Sequence, residues 1–204
     1  MNAEKMRLCF ARLADMMSEN RERLIELDQQ SGDGDLGISM CDGFRAAKEA
    51  MERSQEQDLG RLLNHAANSF NEAAPSSLGT ILTFGMKGMA RALVGKIEAQ
   101  AQELGRAMEA GCTSIMSKAG SKPGEKTVLD ALVPGAEALA ASGSTAEAAK
   151  AAAEGAEATR QMKAVWGRAA YFGEESIGKI DGGAVAGALI FAAIDGFVNA
   201  EETK

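Results

Sequence analysis

Apolar residues recur at three- and four-residue intervals along almost the whole chain, and no segment alternates over the length of a strand. Over residues 3–27, Met6, Cys9, Phe10, Leu13, Met16, Met17, Leu24 and Leu27 form one helical stripe, interrupted near Ser18. A second helix is predicted from Asp35 through "ISMCDGFRAAKEAMERS", and a third over "DLGRLLNHAANSFNEA", ended by Pro75. The turn "PSSLGT" opens a fourth, "ILTFGMKGMARAL", and a fifth covers residues 96–119. "VLDALVPGAEALAAS" follows, with Thr127 and Asp130 spaced as a capping pair. An alanine-rich helix over residues 145–165 leads into the irregular "WGRAAYFGEESIGKIDGG" and a last apolar helix, "AVAGALIFAAIDGFVNA". No stretch reads as a linker. The pattern predicts an all-α, single-domain fold over residues 1–204, with about eight helices.

Composition sharpens this picture. Aromatic residues make up only 4% of the chain, against 23 glycines and 11 methionines. Small side chains let helix backbones approach and methionine fills irregular gaps, so helix packs on helix. The net charge of −7, with no Lys/Arg block, argues against nucleic acid and anionic membrane surfaces as partners. Cys9, Cys41 and Cys112 are widely spaced and odd in number, as expected of reduced, buried thiols in a cytoplasmic protein. The first ten residues carry charges too early for a signal peptide, and the apolar runs fall short of the ~20 residues of a membrane span.

The chemistry concentrates in "SGDGDLGISM". Its Gly32, Gly34 and Gly37 spell a dinucleotide fingerprint, but what precedes them is charged and helical in period rather than a buried strand. An EF-hand fails as well, because the twelfth position counted from Asp28, Asp33 or Asp35 is Ser39, Phe44 or Ala46. "GSKPGEKT" misses the P-loop, with Glu125 in the place of its second glycine. Asp28, Asp33 and Asp35 remain. They are either oxygen ligands for a hard cation such as Mg²⁺ or a solvated acidic turn at a helix start, and the residues alone leave both readings open. Ser76, Ser77, Gly79 and Thr80 stand at a helix start suited to phosphate, or in an ordinary capped turn. Arg168 could meet phosphate oxygens, or pair at the surface with Glu174 or Glu175. His65 reads as structural and Trp166 as a packing anchor.

In order, "LDQQSGDGDLG", "APSSLGTIL", "KPGEKTVLDAL" and "GRAAYFGEESIGKIDGGA" resemble the L subunit of dihydroxyacetone kinases, over roughly residues 5–198. The resemblance implies a barrel of eight antiparallel amphipathic helices binding ADP or ATP at one end. Asp28, Asp33 and Asp35 would hold Mg²⁺, as two ions. Leu36, Gly37, Ile38 and Ser39 would form one phosphate-side helix start, and Ser77, Leu78, Gly79 and Thr80 a second. Gly120 and Val128 would line the base pocket, with Arg168 and the turn Asp181, Gly182 and Gly183 closing over the nucleotide. It also implies a separate K-type subunit holding the ketose, an M-type phosphohistidine protein in the phosphotransferase-linked form, and assembly as a homodimer or hetero-oligomer.

The chain departs from the family's usual motifs where "GDGDHG" reads "GDGDLG", "GDKT" reads "GEKT" and "DPGA" reads "DGGA". Leu36 therefore stands where a histidine is usual, and it cannot bond phosphate or move a proton. The rival readings are a helical nucleotide- or lipid-binding regulatory module without turnover, and an ATP-binding domain serving another acceptor.

Overall fold

The computed structural model describes residues 1–202 and is built from α-helices joined by loops and two 3-10 segments. In chain order the α-helices are α1 (Ala3–Glu19), α2 (Arg21–Gln29), α3 (Leu36–Arg53), α4 (Leu59–Ala73) and α5 (Ser77–Leu93). They continue with α6 (Ala101–Ala119), α7 (Leu129–Ser142), α8 (Thr145–Ala158) and α9 (Gly182–Glu202). Among the described residues the one β-type pairing is an isolated bridge between Asn2 and Glu98.

The break foreseen near Ser18 falls at Asn20, whose side-chain amide donates to the Met16 carbonyl at 2.9 Å and shares it with the Asn20 backbone N–H, which closes the last turn of α1 at 3.2 Å. The helix predicted over residues 96–119 begins only at Ala101. Residues before it run extended and bond the first residues of the chain, Met1 and Ala99 pairing at both backbone N–H and amino group. The helix predicted to reach Val165 stops at Ala158. Thr159 turns it into a 3-10 segment, its hydroxyl donating to the Ala156 carbonyl at 2.6 Å. Thr127 and Asp130 form half of a capping box: the Asp130 carboxylate accepts from the Thr127 N–H at 2.7 Å, while the Thr127 hydroxyl accepts from Leu129.

Each long helix packs on the next, and α9 packs back on α1, so α1 and α3 to α9 form a closed up-and-down ring with α2 laid across α3 and α9. Consequently α3, α5, α7 and α9 begin, and α2, α4, α6 and α8 finish, at one end of the ring. Glycines bring the helices close: a side chain at Gly135 would strike the Phe191 ring, and one at Gly43 the Phe70 ring. Phe70 meets Phe44 edge to face, with centroids 5.0 Å apart. The middle of the ring encloses a cavity of about 130 Å³ walled by apolar side chains, among them Met6, Phe10, Met86, Met108, Ile115 and Ile190.

α9 is more apolar than the sequence reading allowed. Residues 182–201 have a mean hydropathy of 1.6 and reach the length of a membrane span. Here that helix is a wall of the ring, burying Ala184, Val185, Phe191 and Phe197 against α1, α7 and α8.

Candidate functional site

The acidic loop is shaped by its own first carboxylate. Asp28 closes α2, and its backbone carbonyl accepts from the N–H groups of Ser31 and Gly32. Its side chain turns inward to accept from the Gly34 N–H at 2.8 Å. Gly34 has φ 80°, open to glycine, and a Cβ at Gly32 would lie 2.3 Å from the Asp28 Oδ1. The two glycines therefore serve to wrap the loop around a carboxylate.

That wrapping brings Asp28, Asp33 and Asp35 together, one carboxylate oxygen of each lying within 4.8 Å of the others. Asp35 occupies the N-cap position of α3, yet its side chain caps nothing. Asp33 and Asp35 are exposed, as a solvated turn would have them, but neither is spent on capping the start of α3. Desolvation, then the charges of Asp33 and Asp28, push the Asp35 carboxyl up. The Arg168 guanidinium pairs with Asp33 and holds that carboxyl low. Arg168 does not pair with Glu174 or Glu175; Glu174 is taken by Lys163 at 2.8 Å. One cation against three carboxylates leaves the cluster negative. An all-oxygen, under-neutralised donor set fits a hard divalent cation such as Mg²⁺.

The neighbouring segments converge on this loop from several helix ends. Leu36 is buried, and its side chain lies under the start of α9, where a Cβ at Gly182 would come within 2.8 Å of the Leu36 Cδ2. Two of the sequence's departures from the usual motifs, at 36 and 182, therefore touch, and the leucine occupies room that a side chain at 182 would need. Gly37 fits its backbone against Arg21 and Ile25 of α2, Ile38 faces outward and Ser39 is buried. Asp181 caps α9, accepting from the Ala184 N–H at 2.7 Å, and burial pushes its carboxyl up to about 6. Val128 is buried beneath Gly183 and Gly187, and Gly120 ends α6 with φ 75° beside the Trp166 ring.

Ser77, Leu78, Gly79 and Thr80 open α5 at the same end of the ring, with the Ser76 hydroxyl capping the Gly79 N–H at 3.1 Å. No hydrogen bond or ion pair joins this turn to the acidic loop among the described residues; what they share is the end of the ring. Trp166 is not a packing anchor: it is half-exposed, and its indole N–H donates to Glu125 at 2.5 Å. His65 is exposed on the outer face of α4 and supports no core. The sequence reading passed over Lys126, buried with φ 60°, for which the pattern gave no signal beyond its place after Glu125.

The family profile of the DAK2 domain matches residues 30–196. The chain belongs to the DAK2 family. Two relatives of this DAK2 domain match it over nearly their whole length. It is 34% identical to the ADP-binding subunit DhaL of PEP-dependent dihydroxyacetone kinase 1 of Listeria innocua, covering 87% of this chain and 88% of the relative. It is 32% identical to the corresponding DhaL of Escherichia coli, covering 86% and 87%. The L-erythrulose kinase of Pectobacterium atrosepticum is 30% identical, and there the DAK2 domain spans only 34% of the relative. Among solved structures, the dihydroxyacetone kinase of C. freundii in complex with AMP-PNP and Mg²⁺ superposes with a TM-score of 0.76 at 23% identity, over 93% of this chain and 33% of that one. That likeness bears out the all-helical barrel.

Proposed function

We propose that this chain is the nucleotide-binding subunit of a dihydroxyacetone-type kinase, a phosphotransferase with an alcohol group as acceptor that acts only with a partner subunit. The observation that carries this reading is the cluster of Asp28, Asp33 and Asp35 tied to Arg168 at the end of the ring where four helices begin. Similarity to two ADP-binding subunits over most of both chains supports it.

In this reading Asp28, Asp33 and Asp35 hold Mg²⁺, as two ions, and the bound metal neutralises charge on the terminal phosphates of ADP or ATP. The protein's own part is placement. Because the Asp35 side chain caps nothing, the first-turn N–H groups of Leu36, Gly37 and Ile38 are open to phosphate oxygens. At α5 the Ser76 cap takes Gly79 and leaves Ser77 and Leu78, with the Thr80 hydroxyl beside them. Gly120 and Val128 border the base, and the Asp181, Gly182 and Gly183 turn closes the far side. Arg168 answers the negative charge that spreads over the group in transfer.

The acceptor is dihydroxyacetone or a related short ketose held by a K-type subunit. The nucleotide is a resident ADP, rephosphorylated by an M-type phosphohistidine protein in a phosphotransferase-linked system. The kinship with stand-alone subunits named PEP-dependent supports that mode. The chain acts in the cytoplasm, as one domain over residues 1–204, in a homodimer or hetero-oligomer.

Purified protein is denatured and any nucleotide released is identified, and Mg²⁺-dependent ADP binding is measured for Asp33→Ala and Asp35→Ala. We expect ADP from the wild type and loss of binding in both variants. Wild-type affinity in both would remove the site assignment.

A further inference from the structure

Between α8 and α9 the chain leaves the ring over residues 159–181, and this excursion carries Arg168 to the acidic loop. It is poorly anchored by apolar packing. Val165, Trp166, Tyr171, Phe172 and Ile177 are all exposed to 41% or more, with Tyr171 at 91%. Something other than a core must set where Arg168 sits.

Lys126 holds the base. It is 5% exposed, and it is the one residue other than glycine with positive φ among the described residues. Burying an ammonium group and adopting that backbone conformation are both unfavourable, so the surroundings must compensate. The Nζ donates to the Thr159 carbonyl at 2.6 Å and to the Lys179 carbonyl at 2.5 Å, the two feet of the excursion. Asp181 and Asp130 supply facing negative charge, opposed by Arg160 and Lys179, and burial draws the Lys126 pKa down. The same feet are laced by Asp181 N–H to the Thr159 hydroxyl at 2.9 Å and Gly178 N–H to the Arg160 carbonyl at 2.7 Å.

Glu125 holds the arm. Its carboxylate accepts from the Trp166 indole at 2.5 Å and from the Lys122 N–H at 2.9 Å. Only Gly167, with φ 66°, separates Trp166 from Arg168. Two consecutive residues of the loop before α7 thus grip the excursion at its feet and next to its working arginine.

We propose that Lys126 and Glu125 are positioning residues for phosphoryl transfer, fixing the reach of Arg168 to the acidic loop. This rests on the functional reading above. Neither side chain touches the acid cluster, so both act through Arg168.

Trp166 is the chain's sole tryptophan, so its acrylamide quenching reports the excursion directly. The variants are Lys126→Met, Glu125→Ala, Glu125→Gln, Arg168→Ala and the double variant Lys126→Met/Arg168→Ala, assayed with the K-type partner supplied. Lys126→Met and Glu125→Ala should each raise the quenching constant at least about twofold. Each should lower kcat roughly 10- to 100-fold, with Mg²⁺-dependent ADP affinity within about threefold of wild type. Glu125→Gln, which keeps an acceptor for the indole, should restore most of both. In the Arg168→Ala background, Lys126→Met should cost less than about twofold more.

Unchanged quenching in Lys126→Met and Glu125→Ala, or kcat losses that multiply in the double variant, would overturn the proposal. If Lys126→Met does not fold, the Glu125→Ala and Glu125→Gln pair decides alone. Should the wild type neither bind ADP nor turn over, the kinase reading fails by itself, and the quenching comparison still reports whether these residues hold the excursion.

Discussion

Replacing Asp130 with alanine tests how the loop before α7 is held. Asp130 is 5% exposed, and each carboxylate oxygen has one partner: Oδ1 accepts from the Gly124 N–H at 2.5 Å and Oδ2 from the Thr127 N–H at 2.7 Å. Together they close the turn that presents Glu125 and Lys126. A hydrogen bond to a charged group contributes about 1.5–3 kcal/mol, so losing two removes about 3–6 kcal/mol. Gly124 is exposed and can turn to water, which places Asp130→Ala near the lower limit, about 3 kcal/mol. For a chain of this size that is a fall of roughly 6–12 °C in Tm. Asp130→Asn keeps one oxygen and sets an amide donor against the other N–H, so it should lose about half as much. Urea unfolding followed by far-UV circular dichroism, with the slope held constant across variants, gives the comparison. An alanine variant within 1 kcal/mol of wild type, or an asparagine variant as costly as alanine, would refute the reasoning.

Burial raises Asp181 from 3.8 to about 6, so the folded state takes up this proton more readily than the unfolded one. Its contribution favours folding fully below about pH 4 and is lost as pH rises through 6, on the order of 3 kcal/mol in all. Asp181→Asn should flatten that part of the stability–pH curve, and a slope equal to wild type would contradict it. A Cβ at Gly79 would lie 2.1 Å from the Ala74 carbonyl, so Gly79→Ala should displace the first turn of α5. It should lower stability by roughly 1–3 kcal/mol, despite alanine's better helix propensity, and weaken ADP binding; a raised Tm would be decisive against it. Burial pushes the thiols of Cys9 and Cys112 up to about 12, while Cys41 is half-buried. A disulfide reagent at pH 8 should therefore titrate one thiol in the native protein and three after unfolding; three fast thiols would show the ring to be open.

Helical periodicity located every long helix, because each buries a stripe with the spacing of 3.6 residues per turn. Boundaries slipped where a side chain competes with the backbone, as at Asn20 and Thr159, or where a segment runs extended to meet another, as before Ala101. Neither contest leaves a trace in apolar spacing. The acid triplet was legible because three carboxylates in eight residues are costly without a counter-charge. Which cation lies against them was not. Arg168 could be matched with nearby Glu174 by sequence, but the fold offers it Asp33, over a hundred residues away. Lys126 was illegible for a related reason: its partners are carbonyl groups, which every residue carries. The contact between Leu36 and Gly182 joins two positions that look like separate oddities along the chain.

The ring is assembled from neighbours in sequence except at one seam, where the last long helix meets the first. The acidic loop hangs from one lip of that seam and the excursion bearing Arg168 from the other. Every other interface can form from local hairpins, with the long-distance closure left to the end. The pairing of Arg168 with Asp33 therefore depends on that closure, and a chain with the seam ajar would carry both partners and hold them apart.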